Sequence, residues 1–303
     1  MIIAKLHGLG IGNMLFHYGA GRALALKFGV PLRYDFLRTR GSFQIGPTNI
    51  ATREQVEAVY PCYDLKWSPA TARDVSMAAG APECLRGLRR GGFRIFAALA
   101  RQDRYFTPAT TYTFDPRFLT LKPPVFLDSF YMSPRYFADI ESQLRTDLVC
   151  RLDLPEPAQA IEREIRKSNA VSVHIRRGDY TDPSKTGNLF PSYGEDYALA
   201  ALRRIEDARG PGRCFIFSDD IAWASQNIRP GPDTVYVDHG MDAPWIDLEL
   251  MRRCRHNIIT NSSFSWWAAF LNDHPEKLVV SPRIWRNDQP EAREMILESW
   301  IAL

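Results

Sequence analysis

Long apolar runs are missing from this 303-residue chain. No stretch approaches the roughly 18–20 residues that a membrane span requires. Cysteine is scarce and unpatterned. Cys62, Cys84, Cys150, Cys214 and Cys254 are an odd number, widely spaced, and form no C-x-x-C pair. That argues against zinc knuckles and a disulfide framework and points to reduced, mostly buried thiols in a cytoplasmic protein. The N-terminus, MIIAKLHGLGIGN, lacks the charged region, long apolar stretch and cleavage site of a signal peptide. There is no D-x-D, no H-E-x-x-H and no Walker A loop, so no metal bridging a substrate's phosphates is advertised. Nor is there a tandem repeat or low-complexity tract. Neither charge sign dominates: the net charge is +3, which does not mark a nucleic-acid binder.

What is present is ordinary globular composition, 45% hydrophobic and 24% charged, which excludes disorder, collagen and coiled coil for the bulk of the chain. The length suits two domains or one large one. The opening reads as β-loop-α-β: an apolar run at 2–6, a glycine-rich turn, a helix over 13–28 with Asn13 as N-cap and Gly29 as its stop, then a strand at 31–36. Residues 37–125 show no strong periodicity. Within them, 82–106 interleaves Arg86, Arg89, Arg90, Arg94, Arg101 and Arg104 with Phe93, Ile95 and Phe96. This is either a solvated surface helix or a basic face resting weakly on anionic lipid. A strand over 125–132 precedes a helix over 134–149 begun by Ser133 and Pro134.

The proline-rich stretch 153–158 reads as a linker between domains 1–155 and 156–303. Beyond it the pattern turns regular. Strands are expected at 170–175, 214–217, 234–237, 257–260 and 277–280, with helices at about 194–209, 220–228, 243–255 and 262–272. Alternating β and α implies an α/β fold with parallel sheets, here two Rossmann-like domains facing a cleft. Ligands of such sheets bind beyond the carboxyl ends of the strands, so the loops after strands are where chemistry belongs.

Four such loops stand out. In HIRRGDY, residues 174–180, alternation puts His174 and Arg176 on one side of a strand, with Arg176 at its tip. Paired guanidiniums there suit a phosphate or diphosphate, which the planar fork binds bidentately. The plainer reading of Arg177 is a turn ion pair with Asp179. In TNSSFSWW, residues 260–267, Ser262 or Ser263 can cap a helix whose N–H groups would attract a phosphate. Trp266 and Trp267 read as core. In FSDD, residues 217–220, Ser218 or Asp219 caps a helix, and a carboxylate there could accept hydrogen bonds from a ribose or guanine edge. In GLGIGN, residues 8–13, Gly10 and Gly12 allow close backbone approach to a ligand. With Asp35 ending the second strand, this turn also permits an NAD(P)-dependent oxidoreductase, although Asn13 stands where that fingerprint wants glycine or alanine. A non-catalytic sugar-nucleotide or glycan-binding protein is a third reading.

Together these blocks resemble the family 11 glycosyltransferases, the α-1,2-fucosyltransferases. The likeness rests on Gly12, Asn13, Phe16 and Tyr18 followed by GRALAL, on HIRRGDY, on FSDD and on NSSFSWWAAFL at 261–271. It departs from the family at Met14 and His17, where glutamines are usual, and in a longer opening loop. The resemblance implies a GT-B-type fold and inverting transfer of L-fucose from GDP-fucose to the 2-hydroxyl of a β-galactoside, without a metal or other cofactor. The acceptor would be an oligosaccharide or lipid-linked glycan of O-antigen or other surface-glycan synthesis, met in the cytoplasm or at the inner membrane face. It places the acceptor on the N-terminal domain and the nucleotide on the C-terminal one. Arg176 would grip the β-phosphate, with His174 beside it. Asn261, Ser262, Ser263, Phe264 and Ser265 would surround the diphosphate and Asp219 the nucleoside, with Gly10, Gly12 and Asn13 facing the donor. Asp179 and His17 are the candidate bases.

Overall fold

A computed structural model describes residues 1–6, 10–36, 53–59, 61–79, 104–181, 188–240 and 243–303. The chain divides into two compact units, Met1–Arg151 and Leu152–Leu303. Each is a parallel sheet with helices, as the alternating pattern implies.

The first unit contains β1 (Ile2–Ala4), α1 (Ile11–Phe28), β2 (Leu32–Tyr34), α2 (Arg53–Val59), β3 (Ser68–Pro69), α3 (Ala72–Ala79), β4 (Tyr105–Phe106), β5 (Val125–Leu127) and α4 (Glu141–Asp147). Its strand order is β3-β2-β1-β5-β4, with every pairing parallel. Ile3 and Phe126 pack with Val75 and Ala78 of α3 on one face. Helix α1 starts at Ile11, two residues ahead of the expected cap: Gly10, extended at φ −76°, is the N-cap and no side chain caps the helix. Gly29 ends it as expected, in the left-handed conformation at φ 60°. The strand expected over 125–132 stops at Leu127, and Tyr131 has a φ of 51°, which no strand allows. The helix expected over 134–149 is broken. Ser133 accepts a hydrogen bond from the Arg135 N–H and starts a short 3-10 turn, Phe137 interrupts at φ −136°, and regular helix begins only at Glu141.

The second unit contains α5 (Glu156–Arg166), β6 (Ala170–Ile175), α6 (Glu195–Arg209), β7 (Arg213–Ser218), α7 (Ile221–Asn227), β8 (Val235–Tyr236), α8 (Pro244–Arg253), β9 (His256–Ile258), α9 (Ser263–Leu271), β10 (Val279–Ser281) and β11 (Ile301–Ala302). Its parallel order is β11-β10-β9-β6-β7-β8. Helix α5 begins inside the proline-rich stretch, whose prolines suit a helix's first turn rather than a longer linker. Every residue of β6 is buried, as befits the interior strand of a sheet covered on both faces. Val171, Val173 and Ile175 pack against Ala198, Ala201, Leu202 and Ile205 of α6. On the other face the Asn257 amide donates to Ser172 Oγ at 2.7 Å and to the Met251 carbonyl at 2.9 Å, and its own oxygen accepts from Asn272 at 2.7 Å. This buried polar chain is satisfied and fixes β6 against β9. Trp266 and Trp267 are fully buried, as expected. Cys62, Cys214 and Cys254 are buried and Cys150 is half-buried. No helix among the described residues is long and apolar enough to cross a membrane.

The first unit is cross-braced by Asp147, which accepts from Tyr18 Oη at 2.5 Å, Arg22 Nε at 2.8 Å and Gln143 Nε2 at 2.8 Å. Asp147→Ala would leave the Arg22 guanidinium and the Tyr18 hydroxyl without that acceptor. We expect a loss of about 3–5 kcal/mol in urea unfolding, as for other broken buried pairs; a loss below about 1 kcal/mol, the range of a surface pair, would contradict the bracing role.

Candidate active site

The carboxyl ends of β6 and β7 set the site's charge. Ile175 pairs in register with Ser218, so the next residues, Arg176 and Asp219, stand side by side one rung beyond the sheet. Arg176 Nη1 lies 2.9 Å from Asp219 Oδ2. The other carboxylate oxygen accepts the Arg177 backbone N–H at 2.8 Å. Asp219, expected at a nucleoside, thus has both oxygens engaged inside the protein. The Arg176 side chain remains 36% exposed, so the ion pair does not bury it.

Arg177 takes a different path. Its guanidinium carbon lies 3.6 Å from the Trp223 ring centre, and its Nε is 3.8 Å from Asp220 Oδ2. It is stacked against α7 as a cation–π pair. The turn ion pair with Asp179 remains an expectation, because the Asp179 side chain lies outside the described residues. Asp220, rather than Ser218 or Asp219, caps α7: its Oδ1 accepts the Trp223 N–H at 3.0 Å. Ser218 Oγ instead accepts the Asp220 N–H at 3.1 Å.

On the other side of β6, the chain leaves β9 through Thr260, Asn261 and Ser262 and enters α9. Ser262 occupies the N-cap position without a side-chain capping bond. Tyr180 Oη donates to the Asn261 carbonyl at 3.2 Å, tying the HIRRGDY turn to the start of α9. The Tyr180 ring stacks on Phe190 at 4.3 Å and 8°, and the Arg176 guanidinium lies 5.7 Å from it. The Asn261 amide donates to the Pro191 and Trp285 carbonyls at 3.1 and 3.2 Å, so its side chain holds loops together. Ser265 is fully buried, with Oγ donating to the Ser262 carbonyl at 3.3 Å. Ser263 and Phe264 keep part of their surface.

His174 is buried, with Nδ1 3.4 Å from Thr260 Oγ1 and its ring edge-on to Phe264 at 5.6 Å. Burial first, and then the Arg176 charge, pushes its pKa down to about 3. The positive charge at the strand tip therefore belongs to guanidinium, not imidazole.

The second unit thus gathers His174, Arg176, Asp219 and Asn261–Ser265 around the ends of three neighbouring strands. Gly10, Gly12, Asn13 and His17 belong to the first unit. Gly12 is buried and Asn13 half-buried on α1. His17, a candidate base, is 1% exposed and packs against Phe130 and Tyr131, ring centres 5.5 and 6.5 Å away. Of the arginine-rich stretch, 82–103 lies outside the described residues. Tyr105 and Phe106 form β4, not a surface helix, and Arg104 reaches the Met77 carbonyl at 3.5 Å. Sequence reading missed Trp223 and Phe190 as partners of the motif. Trp223, four residues beyond Asp219, was open to discovery as the first-turn neighbour of FSDD; Phe190 carried no local signal.

A family model described as Glycosyl transferase family 11 matches residues 110–303. The chain belongs to this family. The O-antigen biosynthesis glycosyltransferase WbnK of Escherichia coli is 30% identical over 97% of this chain and 98% of its own length. An alpha-1,2-colitosyltransferase of Escherichia coli is 29% identical, over 61% of this chain and 64% of its own. Galactoside alpha-(1,2)-fucosyltransferase 1 of Leontocebus fuscicollis is 31% identical, over 48% of this chain and 42% of its own. Among solved structures, the fucosyltransferase NodZ from Bradyrhizobium aligns over 88% of this chain and 91% of its own, at 14% identity and a TM-score of 0.46. Membership of family 11 makes the chain a nucleotide-sugar-dependent glycosyltransferase. The oxidoreductase and non-catalytic readings have no support.

The buried neutral imidazole has a measurable consequence. A histidine whose pKa falls on folding stabilises the fold fully above its unfolded value near 6.5, and that stability is lost as pH falls from 6.5 toward 3. In denaturant titrations across that window, wild type should lose stability more steeply than His174→Asn, by up to about 1.4 kcal/mol per pH unit. Equal slopes would show that His174 is not held neutral.

Proposed function

We propose that the chain transfers L-fucose from GDP-fucose, with inversion, to the 2-hydroxyl of a β-galactoside during surface-glycan assembly. The observation that carries this reading is Arg176 at the tip of β6, tied on one side to Asp219 and linked through Tyr180 to the start of α9. A guanidinium and helix-start N–H groups are the two kinds of donor that a diphosphate calls for. Names among the relatives support the bond formed and the acceptor: α-1,2 transfer in two and a galactoside in one.

The acceptor oxygen forms a new bond to the sugar's anomeric carbon as the bond from that carbon to the β-phosphate oxygen breaks. The electron pair leaves with GDP, and the hydroxyl proton goes to a base. Arg176 and the N–H groups of Ser263 and Phe264 stabilise the departing charge, each such donor contributing about 2–4 kcal/mol. Asp179 and His17 are the candidate bases, and His17 is 1% exposed, with Phe130 and Tyr131 against its ring. The reaction runs without a metal: the positive charge that the leaving group requires comes from the protein. The acceptor is a free or lipid-linked oligosaccharide, met in the cytoplasm or at the inner membrane face.

Product analysis after incubation with GDP-fucose and a panel of lactose-type and Gal-GalNAc-type acceptors tests the reaction. A fucose on the galactose 2-hydroxyl is expected; GDP binding with no turnover on any galactoside would overturn it. Arg176→Ala should lower kcat by about 10²–10³-fold, the range for a lost leaving-group donor, whereas Arg177→Ala, which loses a stacking contact, should cost about ten-fold or less. Equal small effects would refute the phosphate assignment. Activity should persist in EDTA; loss restored by Mn²⁺ would contradict metal independence.

A further inference from the structure

We propose that Gly178 and Asp219 form one positioning device for Arg176, and that Asp219 therefore acts on the diphosphate through that guanidinium rather than by touching the nucleoside. The inference rests on the reading of Arg176 as the diphosphate ligand and goes beyond it by assigning what aims the ligand.

Two contacts hold one carboxylate, and Gly178 lies against it. Oδ1 accepts the Arg177 backbone N–H at 2.8 Å, and Oδ2 pairs with Arg176 Nη1 at 2.9 Å. A Cβ on Gly178 would lie 2.5 Å from that same Oδ2 and 3.7 Å from the Arg176 guanidinium carbon. Real Cβ atoms do not approach an oxygen so closely. A short side chain anchored at both oxygens cannot yield without releasing one anchor.

The glycine of HIRRGDY thus makes room for the carboxylate. Its φ of 20° is also a conformation that L side chains rarely adopt, so a side chain here is opposed by the backbone as well as by the carboxylate. The arrangement also explains why a negative charge stands beside a proposed anion site. Placed behind the guanidinium, it fixes the fork's direction, and a long side chain at a strand tip would otherwise sample many rotamers. Because Oδ1 is tied to the turn's own backbone, Arg176 and the turn are held as one body.

Asp219→Asn separates the roles. The amide oxygen can still accept the Arg177 N–H, but its nitrogen would face Arg176 donor to donor, and the guanidinium loses that anchor. Gly178→Ala should do the same from the other side, by pushing the carboxylate away. Titration of purified protein with GDP and GMP reads the difference, with thermal melting as the check of folding. Each variant should bind GDP about ten-fold more weakly, as expected for a lost charge-assisted contact, while binding GMP as wild type does. The Gly178→Ala/Asp219→Asn double variant should bind GDP no worse than either single one, because both changes release the same side chain.

Equal losses for GDP and GMP would make Asp219 a nucleoside ligand and overturn the inference. So would unchanged GDP affinity in Asp219→Asn, or additive losses in the double variant. Failure of the wild-type protein to bind GDP would refute the underlying reading instead, so the two failures are distinguishable.

Discussion

The ion pair between Arg176 and Asp219 is the interaction on which the rest of the site depends. It joins the tips of two adjacent parallel strands, and its geometry follows from register: the rung after Ile175 and Ser218 must bring these two side chains together. An exposed pair of this kind adds little stability. Its effect is directional. It holds the Arg176 guanidinium in one orientation beside Asp219, which the charge-stabilising role we propose requires before substrate arrives.

The layers beneath serve the same end. Strand β6 is apolar toward α6, and on its other face Ser172 takes part in the Asn257–Asn272 hydrogen-bond chain. His174, two residues before the cationic tip, is kept neutral by burial and by Arg176 itself. A second protonated group there would have repelled the guanidinium. Tyr180 then ties the turn to the carbonyl of Asn261 just before α9, so the motif's tip and the helix start form one assembly. HIRRGDY, FSDD and NSSFSWW, far apart in the chain, are three sides of a single strand-edge construction.

The sequence disclosed this construction better than it disclosed the first unit. Strand β6, helices α6–α9 and the buried tryptophans were legible because long periodic segments separated by clear turn signals leave one reading. Arg176 was legible for the same reason, standing at the end of an apolar run. The first unit resisted because β3 and β4 have two residues each and draw their stability from neighbouring strands, not from local pattern. The break at Phe137 came from tertiary packing, with its ring against Phe16 at 5.7 Å. The cap of α7 fell on Asp220 because Asp219 was already bound to the neighbouring strand's arginine, a competition that only three-dimensional register reveals. His17, read as a candidate base, lies buried beside Phe130 and Tyr131; nothing local distinguishes a buried imidazole from an exposed one.

The most direct test of the central claim is a crystal structure with GDP bound. The account predicts a β-phosphate oxygen about 2.7–2.9 Å from an Arg176 guanidinium nitrogen, the range of charge-assisted hydrogen bonds, with the start of α9 beside it and the Asp219 contact intact. GDP seated away from the β6 tip, or Arg176 turned from the phosphates while GDP is bound, would contradict it.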